Sequence, residues 1–255
     1  MQFTNNSKLF DEEKWMILST ISSTNTFAKE LLSKNEPVLD GTVIMAEEQT
    51  AGRGQKSNTW LSEPGKNLTF SIILDTAFLP INRQFLLNQS ISLGILDALE
   101  SGFGLSTWIK WPNDIYFGDY KIGGILIENL IMGNKHKNSI IGIGLNINQK
   151  QFPAELHRAS SLTLLTGKEF SIKEVLKTVL SGILQRLIQL ESQDTFYLEQ
   201  DYRRNLLGWE QLRYFRQGDR TFQGIIKDVR PGGELCILVD GKEEEFDLQD
   251  LFFIF

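Results

Sequence analysis

The sequence predicts an α+β fold for most of the chain, followed by a small all-β module at the carboxyl end. Apolar residues recur at helical spacing in some segments and crowd into strand-like runs in others as far as about residue 207. Beyond it, short strand-like runs alternate with glycine-containing turns. The 255 residues are enough for one large unit and one small one. We therefore predict two domains, residues 1–207 and residues 208–255.

Periodicity assigns the elements of the larger part. Ser23, Thr24 and Asn25 offer polar caps to its first helix, and the Ser-x-x-Glu pattern that begins at Ser171 is typical of a capping box. A polar, glycine-containing stretch occupies residues 51–67. The predicted elements are a strand at 15–20, a helix from 23 to about 32, strands at 42–48 and 68–74, a helix at 83–99, strands at 107–111, 121–131 and 139–148, and helices at 171–190 and 195–207.

The sequence pattern changes in the carboxyl-terminal part of the chain. Turn sequences rich in glycine separate several short runs of strand-forming residues. Four or five strands within about 45 residues are typical of a small barrel or a curled sheet. The predicted strands lie at 211–215, 221–229, 234–239 and 242–248.

Composition excludes several classes of protein. Lys and Arg number 26 and Asp and Glu 32, so the net charge of −6 argues against a general nucleic-acid partner, because phosphate binding draws on surplus cations. The single cysteine, Cys236, leaves no internal disulfide and no multi-thiolate metal site. Neither a run of the roughly 20 apolar residues that span a membrane nor the apolar core of a signal peptide occurs. We expect a cytoplasmic protein with no membrane partner.

Several familiar catalytic arrangements are missing from the sequence. It contains no P-loop motif, and Ser57 stands where a dinucleotide fingerprint that starts at Gly52 needs its third glycine. His136 and His157 lie in polar, turn-like contexts and are predicted to be exposed. A histidine-based triad or a zinc site is therefore not expected.

Two polar segments carry residues suited to anions. In residues 49–56, glycines permit close backbone approach, successive N–H groups can wrap an anion, and Arg53 and Lys56 add positive charge. In residues 110–114, a lysine, an amide and a carboxylate at a strand exit suit a phosphate and a magnesium ion. Taken alone, each segment is also compatible with an ordinary loop or a capped turn.

Two strands carry unusual residues for buried positions. Lys121 opens an apolar strand, and alternation places it on the face of Gly123, Ile125 and Ile127. A lysine on a buried face needs an anionic partner, unless it lies at an edge and extends to water. Residues 142–148 combine two glycines with an amide, which suits either close approach of a ligand or plain strand packing.

Together, the segments QTAGRG, KWPND, KIGGILIE and GIGLNIN closely resemble, in order and spacing, the catalytic domain of biotin protein ligases. The resemblance covers residues 23–148. It implies a mixed-sheet α+β catalytic domain related to class II aminoacyl-tRNA synthetases and lipoate ligases, followed by a small Src-homology-type β-barrel. It also implies that biotin is activated with ATP to biotinyl-5′-AMP and transferred to a lysine of a biotin carboxyl carrier protein, without a tightly bound cofactor. A homodimer is left open.

The resemblance also implies roles for individual residues. Lys121 and Arg53 are the catalytic candidates, because the biotin carboxylate and the α-phosphate bring two anions together. Asp114 is the candidate magnesium ligand. The residues implied in biotin binding are Ser23, Thr24, Asn25, Gln49, Arg53, Gly54, Gln55 and Lys121. The residues implied in binding ATP or the adenylate are Gly52, Trp60, Lys110, Asn113 and Asn146.

The glycine loop departs from the family pattern. Gln55 and Lys56 replace paired arginines of some members, and Ser57 and Asn58 stand where those members have Gly-Arg. The loop therefore carries less positive charge. We also expect residues 51–66 to form a lid that the adenylate orders. The stretch before residue 15 does not resemble a helix-turn-helix domain, so the repressor role of some bacterial members is not expected.

Two alternatives follow from the same residues. A lipoate or octanoate ligase uses the same scaffold, but its substrate has no ureido ring and does not need the polar cluster of Ser23, Thr24, Asn25 and Gln49. A non-catalytic nucleic-acid-binding module would explain the Arg-Gly and Trp residues, but the net charge of −6 argues against it.

Overall fold

The computed structural model describes residues 3–4, 8–34, 37–56, 58–132, 135–192, 195–248 and 251–255. Within these ranges the side chains of residues 131, 132, 135 and 136 are not described. The predictions for Ser57 and for the side chain of His136 thus lie outside the described residues. His157 is exposed, as predicted.

A seven-stranded mixed sheet forms the centre of the larger part. Its spatial order is β1-β2-β3-β7-β6-β5-β4, in which β1 and β2 pair in parallel and all other pairs are antiparallel. The mixed sheet was predicted. Its strands are β1 (Trp15–Ile21), β2 (Thr42–Gln49), β3 (Leu68–Asp75), β4 (Trp108–Lys110), β5 (Asp114–Phe117), β6 (Tyr120–Met132) and β7 (Lys135–Leu145).

Helices cover the two faces of the sheet unequally. Phe70 and Ile72 of β3 point to a large core that includes the apolar sides of α2 and α4, whereas Ile73 points to the smaller cluster beneath α1. Because α1 is only 10 residues long, it covers part of its face and leaves the rest of the sheet open. The helices are α1 (Thr24–Ser33), α2 (Phe85–Phe103), α3 (Leu162–Thr166), α4 (Ile172–Glu191) and α5 (Thr195–Arg204), with 3₁₀ turns at Glu12–Lys14, Ile81–Arg83 and Ala154–Leu156.

A second, five-stranded antiparallel sheet follows, as predicted for the carboxyl-terminal module. Its core is continuous with the large core, and the Trp111 indole donates a hydrogen bond of 2.8 Å to the Gly233 carbonyl across the junction. Arg203 and Asp228 form an ion pair of 2.7 Å beside it. The strands, in the order β11-β10-β9-β8-β12, are β8 (Leu212–Gln217), β9 (Arg220–Val229), β10 (Leu235–Val239), β11 (Lys242–Phe246) and β12 (Phe252–Ile254).

Some short elements differ from the sequence prediction. Strands β5 and β12 and helix α3 have five residues or fewer, too few to show a period. Helix α2 continues to Phe103 and ends at Gly104, whose φ of 69° is left-handed and favours glycine. Strands β6 and β7 extend into the predicted turn after residue 131, because backbone pairing holds polar residues there. None of the described helices is long and apolar enough to cross a membrane.

Candidate active site

A cavity of about 350 Å³ lies on the face of the sheet that α1 leaves open. Gly124, Gly142 and Gly144 of the adjacent strands β6 and β7 form its floor. A Cβ atom on Gly142 would overlap the Asn25 amide, and one on Gly144 would overlap the Trp60 indole. Glycine at these positions therefore lets the side chains above approach the sheet.

A neutral polar cluster closes one end of the cavity. The Thr24 N–H donates to Gln49 Oε1 at 2.8 Å. Ser71 Oγ lies 2.7 Å from Thr24 Oγ1 and 2.6 Å from Asn25 Oδ1. Thr24 and Asn25 come from the first turn of α1, and Ser71 is fully buried on β3. The arrangement suits an uncharged head group that carries both donors and acceptors.

Glu128 on β6 links the polar cluster to the glycine loop through hydrogen bonds. Its carboxylate accepts hydrogen bonds from Lys29 Nζ at 2.9 Å, Asn25 Nδ2 at 3.0 Å and Arg53 Nη1 at 3.2 Å. Burial alone would raise the pKa of Glu128, but hydrogen bonds from Lys29 and Asn25 and the charge of Arg53 outweigh it, so the pKa lies below its usual value. Glu128 is therefore ionised at neutral pH.

The other end of the cavity carries charge. Lys121 Nζ lies 2.5 Å from Asp114 Oδ1, and Lys110 Nζ lies 3.7 Å from Asp114 Oδ2. Burial lowers the pKa of Lys110, and the positive charge of Lys121 adds to this, although Asp114 opposes it. Two lysines against one carboxylate leave a net positive charge, which suits a polyanion.

Lys121 reaches the cavity through a β-bulge. The prediction that it shares the face of Gly123, Ile125 and Ile127 is wrong. Opposite β5, Tyr116 pairs with Lys121 and Ile115 pairs with Gly123, so β6 holds one extra residue, Ile122. The extra residue reverses the alternation, so Ile122 joins the core and Lys121 lies on the cavity side.

The glycine loop forms a small hairpin over the floor. Arg53 and Thr59 form a β-bridge, and the Trp60 N–H donates to the Gly52 carbonyl at 2.9 Å. The Trp60 indole lies against Gly144, and its buried Nε1 has no hydrogen-bond partner among the described residues. A buried donor without a partner is costly and rare in folded proteins. The indole N–H is thus a donor that the described residues leave unsatisfied.

The structure gathers most of the predicted site residues around the cavity. Asn113 lines it, but its side-chain amide donates to the Ile125 carbonyl and so joins the turn before β5 to β6. Gly52 and Asn146 are not among the described lining residues, and the buried Asn146 donates to the Ser160 carbonyl at 3.0 Å. The predicted residues that do line the cavity are Ser23, Thr24, Asn25, Gln49, Arg53, Gly54, Gln55, Trp60, Lys110, Asn113, Asp114 and Lys121.

Part of the site was not predicted from the sequence. Leu248 and Phe252 of the carboxyl-terminal part line the cavity, and Lys110 Nζ lies 5.1 Å from the centre of the Phe253 ring. No local signal marks these aromatic residues, because their position depends on docking of the second sheet. Ser71 was also missed, and a hydroxyl within an apolar strand was the signal available for it.

The donor set does not by itself form a metal site. The described residues contain no group of three His, Cys, Asp or Glu side chains placed to share an ion. Asp114, the one carboxylate among the described lining residues, is already paired with Lys121. Magnesium commonly binds one or two carboxylates together with substrate phosphates. The magnesium role of Asp114 stays a prediction, and no step below depends on it.

The mixed sheet carries a cavity that joins a neutral polar end to a lysine-rich end, which suits a small molecule with an uncharged head group and an anionic end. Residues 17–146 match the model of the Biotin/lipoate A/B protein ligase family. The chain belongs to this family.

Similarity to individual proteins supports the family assignment. The bifunctional ligase/repressor BirA of Bacillus spizizenii is 37% identical over 163 residues, which are 63% of this chain and 49% of that protein. The matched stretch thus spans about half the length of the Bacillus relative. The biotin–[acetyl-CoA-carboxylase] ligase of Mycobacterium tuberculosis is 28% identical over 235 residues, 89% of this chain and 85% of that protein. The structure of the biotin protein ligase from Aquifex aeolicus in complex with biotin and ATP superposes with a TM-score of 0.78 at 28% identity, covering 94% and 99% of the two chains.

Proposed function

We propose that this protein is a biotin protein ligase, which activates biotin with ATP to biotinyl-5′-AMP and transfers biotin to a lysine of a biotin carboxyl carrier protein. The observation that carries the proposal is the polarity of the cavity. Its neutral cluster of Thr24, Asn25 and Gln49 matches a ureido ring, and its Lys110 and Lys121 match a carboxylate next to phosphates.

The first step is charge neutralisation and positioning. The biotin carboxylate oxygen attacks the α-phosphate of ATP, an anhydride bond forms, and pyrophosphate leaves. Because both reactants are anions, Lys121 stabilises the charge that develops between them, and Asp114 holds its ammonium group in place at 2.5 Å. Lys110 lies on the other side of Asp114, in position for the remaining phosphates.

Transfer needs no nucleophile from this protein. The neutral amine of the carrier lysine attacks the anhydride carbonyl, an amide forms, and AMP leaves with the bonding electrons. Water must be excluded in the meantime, and the glycine loop with Arg53 and Trp60 stands over the cavity floor where it can serve this purpose.

Three further assignments complete the proposal. Residues 1–207 form the catalytic domain and residues 208–255 a small domain that completes the nucleotide end of the cavity through Leu248 and Phe252. Magnesium arrives with the phosphates of ATP rather than in a preformed protein site. The proposed site of action is the cytoplasm.

Biotin-dependent exchange of labelled pyrophosphate into ATP tests the proposal directly. The purified protein is expected to exchange label only when biotin is present. Exchange that is driven by lipoate and not by biotin would replace the proposal by the lipoate ligase alternative. A protein that exchanges label with neither acid would contradict the whole assignment.

A further inference from the structure

Two separate segments hold the backbone of Lys121, one on each side. On one side, Lys121 pairs with Tyr116 of β5. On the other side, the Lys121 N–H donates to the Arg158 carbonyl at 2.7 Å, and the Lys121 carbonyl accepts from the Ser160 N–H at 3.0 Å. Lys121 therefore lies where β5 and the segment 158–160 both meet the bulge of β6.

One aromatic ring from the carboxyl-terminal part contacts both of these segments. Phe255, which follows β12, stacks on Tyr116 with 5.7 Å between the ring centres and 5° between the ring planes. The guanidinium carbon of Arg158 lies 4.1 Å from the centre of the same Phe255 ring. Both kinds of contact are attractive. The ring thus joins the side chains of two residues whose backbones hold Lys121 from opposite sides.

The strands next to Lys121 are short, so their register has few hydrogen bonds of its own. Strand β4 has three residues and β5 has four, and the two lie at the edge of the seven-stranded sheet. Asp114, which lies 2.5 Å from the Lys121 ammonium group, is the first residue of β5. A shift of β5 against β6 therefore moves these two charges relative to each other and to the cavity.

We propose that Phe255 is a positioning residue that fixes Lys121 for the activation step by joining β5 to the segment 158–160. The inference rests on the proposed function. Phe255, Tyr116 and Arg158 are not among the described residues that line the cavity, so the ring acts through the position of Lys121 and not through a contact with substrate. Docking of the second sheet is thereby coupled to catalysis in the larger part.

The test variant is Phe255→Ala, which removes the ring and both of its contacts. The maximal rate of biotin-dependent pyrophosphate exchange should fall about tenfold to a hundredfold, because a misplacement of about 1 Å can cost a hundredfold in rate. The KM for biotin and the KM for ATP should stay within about threefold, because no described lining residue is changed. A loss that appears in either KM and not in the maximal rate would overturn the inference.

Two matched variants separate the stacked ring from general loosening of the strand. Phe255→Tyr keeps the ring and should keep the maximal rate within about threefold. Ile254→Ala truncates the adjacent side chain, which belongs to β12 and pairs with Tyr214, and should keep the maximal rate within about twofold. The Phe255 side chain is 42% exposed, so its truncation leaves no closed cavity in the core. Equal losses in Phe255→Ala and Ile254→Ala would overturn the inference.

A double-mutant cycle tests the route through Lys121. In the Lys121→Met background the ammonium group is gone, so the Phe255 ring no longer positions a charge. Phe255→Ala should then lower the exchange rate by no more than about twofold further. A further tenfold fall in this background would show that the ring acts elsewhere, and it would overturn the inference.

The outcomes also separate this inference from the proposed function. If the unmodified protein shows no biotin-dependent exchange, the proposed function fails, and this inference fails with it. If the unmodified protein exchanges label and folded Phe255→Ala does so equally fast, only this inference fails. Should Phe255→Ala not fold, Arg158→Met removes the charge over the ring and keeps the carbonyl that holds Lys121. A fall of about threefold or more in its maximal rate would support the inference, and an unchanged rate would overturn it.

Discussion

Replacing Lys121 by methionine is expected to lower the rate of the proposed biotin activation strongly and to change the stability of the fold only slightly. The ammonium group is the cation closest to Asp114, 2.5 Å away, and stands where carboxylate and phosphate are proposed to meet. Losing one such preorganised contact typically lowers the rate about 10²–10³-fold, or about 2.7–4 kcal/mol. The Lys121 side chain is 34% exposed, so its ion pair contributes at most about 1 kcal/mol to folding.

The assay compares two measurements on one variant. Biotin-dependent pyrophosphate exchange should fall by that factor in Lys121→Met, while Tm moves by no more than about 4 °C, the shift expected for 1 kcal/mol in a chain of this size. Lys150→Met, which removes an exposed lysine paired with Glu169, is the matched control and should leave both measurements unchanged. Exchange within a few-fold of normal in a folded Lys121→Met protein would refute the reasoning.

Three further predictions concern the nucleotide end and the glycine loop. Phe253→Ala removes the ring that lies 5.1 Å from Lys110 Nζ, so the KM for ATP should rise a few-fold to about tenfold while the Kd for biotin is unchanged; an equal loss of biotin affinity would contradict a local role. Because burial lowers the pKa of Lys110, its charge is lost at a lower pH than that of an exposed lysine. As the pH is increased, the KM for ATP should therefore begin to rise before pH 10.5 is reached. Lys110→Arg should remove this rise, since guanidinium stays charged, and a rise that persists in this variant would assign the titration to another group. Trypsin should cleave the loop after Arg53 or Lys56 quickly in the free protein and slowly with biotin and ATP; equal rates in both conditions would show that the loop is not a ligand-ordered lid.

The residues of the cavity were largely identifiable from the sequence, but their partners were not. Residue type and position alone marked Arg53 and Lys121 as candidates, and the family resemblance added Asn25. The hydrogen bond between Asn25 and Glu128 joins residues 103 positions apart, and no local pattern indicates it. Glu128 was quoted in a motif, but only the structure shows that it organises the polar end.

The sequence by itself determined the order of the longer helices and strands, the change of pattern near residue 207 and the glycines of the cavity floor. These features depend on backbone preferences and burial within a few neighbouring residues. Only the tertiary structure decided that Lys121 lies on the cavity side, since the bulge at Ile122 arises from the register of β6 against β5. Docking of the second sheet likewise decided that Phe253 lies beside Lys110. Register and docking are set by contacts between distant segments, which form only when the whole chain packs.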